Sequence, residues 1–187
     1  MKRRTALSNL SLIAGGSTLL PQLMLSGCET KEHPYALFQI GDTELLNDIA
    51  ETIIPETPDS PGAKTANVGD FIQSYVTNCF SPADQKAFTD GFVSLKTEID
   101  SKFGKDFTGL SIDEKTEVIR DQENQRVAYQ KQAKPGDPPH FYQQLKSTIL
   151  FGYFTSEPGA TQALRYVPVP GGQQGIIPYN GEKAWAL

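Results

Sequence analysis

The sequence predicts an all-α protein, a single small helical domain of about five helices with proline-rich loops and an extended C-terminal tail. Three observations carry that expectation. Apolar residues recur at helical spacing in five separate segments. Clusters of proline, glycine, serine and aspartate separate those segments and cannot continue a helix. From Ser156 onward the helical period fades, and prolines at 168, 170 and 178 rule out a regular ladder of backbone hydrogen bonds.

The first helix carries Leu45, Leu46, Ile49 and Ile53 on one face, with Asp42 or Thr43 as its cap and Pro55 as its stop. Pro55 to Ala63 is dense in turn formers, and its Asp and Ser side chains favour local backbone hydrogen bonds. Val68, Phe71, Ile72, Tyr75 and Val76 then mark a second helix running to about Cys79. Ser81 caps the third, with Pro82 at its first position and Asp84 in its first turn. Phe88, Phe92, Leu95, Ile99 and Phe103 form the stripe of that helix, and Gly104 closes it. Ser111-Ile112-Asp113-Glu114 is a capping box that opens the fourth helix, which carries Val118 and Ile119. The polar run from Asp121 to Lys134 has too few apolar residues for a buried face and reads as a solvated helix end or a mobile linker. After the break at Pro135 to Pro139, Phe141, Tyr142, Leu145, Ile149, Leu150, Tyr153 and Phe154 surround much of a fifth helix, as in a central, buried element.

The N-terminus has a different character. Lys2, Arg3 and Arg4 precede a weakly apolar stretch from Leu7 to Leu25 that ends in Leu25-Ser26-Gly27-Cys28. Gly15, Gly16 and Pro21 break it, and a stable spanning helix needs about 20 predominantly apolar residues. It therefore reads as a twin-arginine export signal, residues 1–27, joined to a lipoprotein cleavage site with Cys28 as the lipid acceptor. Residues 28–40 then form the lipidated cysteine and a polar tether, and 41–187 the helical domain. Removing 1–27 takes away three basic residues and changes the formal charge from -5 to -8, with 14 basic against 22 acidic residues. So acidic a body is a poor partner for nucleic acid. With Cys28 lipidated, only Cys79 remains, so no intrachain disulfide forms. Its apolar neighbours Val76 and Phe80 suggest that Cys79 is a small buried hydrophobe.

Motifs for chemistry are absent from the sequence. It has no CxxCH for covalent haem, no glycine fingerprint after a strand and no GxSxG elbow. Of the two histidines, His33 lies in the tether, and His140, between Pro139 and Phe141, reads as a helix-start residue rather than a ligand. Glu51, Glu56 and Asp59 gather near one loop, where acid/base work is conceivable and solvated loop acids are the simpler reading. Catalytic, cofactor-binding and metal-binding residues are therefore all expected to be none.

Two stretches resemble a known family. Ile53 to Ala63 followed by Val68-Gly69-Asp70-Phe71-Ile72 is similar to the hallmark of the gluconate 2-dehydrogenase subunit 3 family. So are Phe141 to Lys146, Gly152 to Glu157 and Tyr166 to Gly171. The resemblance implies a small subunit of a membrane-associated periplasmic dehydrogenase that oxidises sugars, polyols or sugar acids. It implies an FAD-containing large partner of the glucose-methanol-choline type, with haem c in a cytochrome third subunit as a further possibility. It also implies that Arg3 and Arg4 export the folded partner with this chain. The Cys28 lipid, a departure from the usual pattern, would anchor both. Docking is expected at the Pro55 to Ala63 loop, with Pro55, Pro58 and Pro61, and at the Arg165 to Tyr179 tail, with Tyr166, Pro168 and Pro170, aided by Phe71 and Tyr153. The alternative is that both segments wrap the chain's own core. A freestanding structural or ligand-binding lipoprotein and an independent enzyme using loop carboxylates are the rival functions.

Overall fold

The computed structural model describes residues 37–186 apart from 40, 170, 173–175 and 177. Arg3, Arg4, Cys28 and Pro170 lie outside the described residues. Five α-helices follow in order: α1 Asp42–Ile53, α2 Val68–Cys79, α3 Pro82–Phe103, α4 Ile112–Gln132 and α5 Phe141–Thr155. A 3₁₀ turn at Phe107–Gly109 precedes α4, and a π turn at Gly159–Ala163 follows α5. The all-α expectation holds.

The apolar stripes of the five helices close on one core. Leu46, Ile49, Ile72, Val76, Phe88, Phe92, Leu95, Leu145, Ile149 and Tyr153 are all buried in it. Helix α5 touches α2, α3, α4 and the π turn, which makes it the central element. Close approach depends on two glycines in particular. A Cβ at Gly152 on α5 would collide with the Phe71 ring on α2, and one at Gly69 would collide with the Thr43 carbonyl on α1.

Local capping explains why the helices start where they do. Ser81 and Ser111 accept from the Asp84 and Glu114 N–H groups at 3.2 and 3.3 Å, and Glu114 returns a bond to the Ser111 N–H at 2.7 Å. Helix α1 differs from expectation. Its cap position is Gly41, at a φ of 96°, and Asp42 is the first helical residue. The Asp42 carboxylate turns back to accept from the Gln39 N–H at 2.7 Å and from Lys96 of α3 at 3.0 Å. Helix α2 is capped from outside itself. Asn67, at a φ of 48°, supplies no cap hydrogen bond, so the buried Asn47 of α1 accepts the Gly69 N–H at 2.7 Å and donates to Asn67 Oδ1 at 3.0 Å.

Of the two readings of the polar run after Asp121, the solvated helix end holds and the linker does not: it continues as helix to Gln132. Cross-helix contacts hold it: Gln122 donates to Glu98 of α3 at 3.1 Å, and Glu123, paired with Arg126 of its own helix at 2.6 Å, meets Lys146 of α5 at 3.1 Å. One expectation, a buried Cys79, is corrected. Cys79 is exposed, because it falls on the outer side of the last turn of α2 while Val76 takes the core position.

Asp48 ties three parts of the chain together. Its carboxylate oxygens meet Lys64 at 2.7 Å and Lys115 of α4 at 2.8 Å. Burial pushes this carboxyl up, yet the hydrogen bonds from Lys115 and Lys64 outweigh burial and hold it below the usual carboxylate range. A depressed folded-state value means stability that is present above the ordinary value of 3.8 and lost as pH falls through the folded one. Asp48→Asn is expected to cost about 2 kcal/mol at neutral pH, mostly through Lys115, since water screens the more exposed Lys64. Urea titration of both proteins at pH 7 and pH 3 checks this, and the gap between them should narrow at the lower pH.

Candidate docking surface

The Pro55 to Ala63 loop is held in one shape from both ends. At its tip Thr57 and Ser60 pair through two backbone bonds, 2.9 and 3.2 Å long, around exposed Pro58 and Asp59. At its base the Glu51 carboxylate of α1 accepts from the Glu56 N–H at 3.0 Å and the Lys64 N–H at 2.8 Å. A side chain at position 62 would fall on that carboxylate and displace it. Glu51 is therefore a clamp on the loop backbone, while Glu56 and Asp59 remain exposed acids.

The inner side of the loop rests on α5. Tyr153 is fully buried, and its hydroxyl lies 2.8 Å from Ser60 Oγ and donates to the Pro61 carbonyl. This corrects the placing of Tyr153 among partner contacts: no surface of it is free to touch another chain, and it shapes the loop from below. Tyr153→Phe is expected to cost about 1–2 kcal/mol, because the carbonyl and Ser60 lose a buried partner while the ring stays packed. Thermal unfolding gives the cost, and faster proteolysis within 56–62 would show where it falls.

The tail is closed at its neck. The Arg165 N–H donates to the Ala184 carbonyl at 2.8 Å, the Ala186 N–H donates to the Arg165 carbonyl at 3.0 Å, and the Arg165 guanidinium sits 4.1 Å from the Trp185 ring centre. Lys183 then reaches across to donate to the Asp59 carbonyl at 2.8 Å and to the Gln162 carbonyl. Loop and tail, far apart in sequence, thus meet on one face. Pro55, Pro58, Tyr166 and Pro168 of these two segments are exposed, and Pro61 is partly buried.

Phe71 belongs to a second patch. Its ring stacks on Tyr75 at 5.4 Å and meets Phe151 edge-on at 5.6 Å. Phe151, Leu150 and Phe154 are 49, 37 and 39 % exposed, so the fifth helix is not covered all round as its composition suggested. Its buried line runs through Leu145, Ile149 and Tyr153, and the neighbouring apolar arc is left open. Composition alone did not separate these two arcs. Lys183 and Trp185 were also missed, because nothing in their local sequence shows what they meet.

Among the described residues no cluster of three or more His, Cys, Asp or Glu side chains is arranged to hold a metal ion. No described helix is long and apolar enough to cross a membrane.

Residues 41–171 match the family model described as gluconate 2-dehydrogenase subunit 3. The chain belongs to that family. No curated protein and no solved structure matches it. As a subunit 3 protein it is an accessory chain of a larger dehydrogenase complex. The matched span takes in all five helices, the loop and Arg165, and stops before Lys183 and Trp185.

Proposed function

We propose that this subunit 3 protein is the non-catalytic small subunit of a membrane-associated periplasmic dehydrogenase oxidising sugars, polyols or sugar acids. It exports, stabilises and anchors an FAD-containing large subunit of the glucose-methanol-choline type, and a cytochrome c subunit can complete the assembly. The observation that supports this most directly is the joining of the Pro55 to Ala63 loop to the C-terminal tail through Lys183 and the Asp59 carbonyl. The two segments make one exposed, proline-rich face whose shape is set before any partner arrives, so binding there loses little conformational entropy. Anchoring follows from Cys28, because two or more acyl chains give lasting attachment where one binds only marginally.

The test is affinity purification of the full chain from detergent-solubilised membranes of its own host. A large flavoprotein with bound FAD should co-purify in fixed ratio, seen as flavin absorbance in the same peak. A chain recovered alone would favour the freestanding lipoprotein. Turnover of a sugar by the isolated chain would overturn the accessory role.

A further inference from the structure

The central helix α5 begins on an unusual cap. N-cap residues are most often Ser, Thr, Asp or Asn, whose oxygens accept a first-turn N–H at every ordinary pH. Here the cap is His140, and its ring nitrogen Nδ1 accepts the Tyr142 N–H at 3.2 Å. Only a neutral imidazole with a free Nδ1 lone pair can do this. An imidazolium has no acceptor to offer, and it sets a positive charge at the positive end of the helix dipole.

The surroundings add to that dependence. The ring is half-buried and lies 5.4 Å from the Tyr129 ring of α4. The charged groups that face it are Arg126 of α4, Glu98 of α3 and, in the connecting segment, Asp137. Arg126 is itself tied to the first turns of α5, donating to Gln143 Oε1 at 3.2 Å. Asp137 is occupied in accepting the Lys134 N–H at 2.7 Å, and Tyr129 donates to the Pro138 carbonyl at 2.7 Å. The α4–α5 corner is thus pinned by four bonds, of which the histidine cap is the one that a proton removes between pH 7.5 and pH 5.

We propose that His140 is a pH-operated latch on the α4–α5 corner, closed when its imidazole is neutral and released when Nδ1 takes up a proton. Released, the first turn of α5 loses its cap, and the new positive charge repels Arg126, loosening the segment from Lys134 to Gln143. Burial first, and Arg126 second, hold the imidazole below its ordinary value of 6.5, against the smaller opposing pull of Glu98. The folded chain therefore resists the proton that the unfolded chain accepts. The latch contributes its full stability above 6.5, and that stability is lost as pH falls through the lower folded-state value.

The test uses the full chain in detergent and follows amide hydrogen exchange of peptides spanning 134–143, corrected for the intrinsic pH effect. Between pH 7.5 and pH 5 the native protein should lose about five-fold protection there, the worth of one cap. His140→Asn, whose side chain caps without titrating, should lose none. NMR titration of the His140 ring should give a midpoint below 6.5 that moves upward in Arg126→Gln. Parallel loss of protection in the native protein and His140→Asn would overturn the latch, as would a ring midpoint at or above 6.5.

Discussion

Phe88→Ala is expected to remove about 3–5 kcal/mol of stability, the usual cost of emptying a large aromatic site that cannot collapse. Phe88 is fully buried, and its ring is within 6.5 Å of four others: Phe141 at 5.2 Å, Phe80 at 6.0 Å, Phe38 at 6.1 Å and Phe92 at 6.5 Å. These rings come from α3, α5, the end of α2 and the segment before α1, so one truncation opens a gap where four parts of the chain meet. Edge-to-face pairs add to the loss beyond the area buried. A domain of this size is stable by about 5–15 kcal/mol, so the variant keeps little margin. The urea midpoint measures it. A loss below about 1 kcal/mol would show that the cluster repacks around the gap and that the fold does not depend on it.

If the proposed escort role is right, changing Arg3 and Arg4 together to lysine will remove both this chain and the flavoprotein it is proposed to carry from the periplasmic fraction. The substitution keeps both positive charges, so it separates recognition of a twin-arginine address from simple retention of a positive N-terminus. Folding of residues 41–187 should be untouched, and the partner should accumulate inside the cell with FAD bound. Fractionation with immunoblots of both chains reads the outcome. If both still reach the periplasm, the escort model fails. If this chain alone is retained, the partner has its own route.

Much of the fold was legible because helices are local objects. The capping box at Ser111, the Ser81-Pro82 start, the Gly104 stop and the apolar stripe of α3 each lie within a few residues of sequence, and each stands where the pattern put it. The points left open or misread are those whose deciding partner lies elsewhere in the chain. Asn47 caps α2 from 22 residues away, and Gln122 and Glu123 hold the polar half of α4 through α3 and α5. Cys79 looked buried among apolar neighbours, yet the rotation of α2, set by Ile72 and Val76, turns it to water.

The candidate docking surface divides in the same way. Composition was enough to pick out the Pro55 to Ala63 loop and the tail as non-helical, since prolines restrict their own φ and that of the residue before whatever surrounds them. The reading of residues 1–28 as an address rests on linear sequence alone and lies outside the described residues. Tertiary structure alone decided that Tyr153 sits beneath the loop, that Glu51 clamps its base and that Lys183 joins loop to tail. Those contacts connect residues up to 124 positions apart, and their existence depends on how five helices pack, which no local pattern encodes.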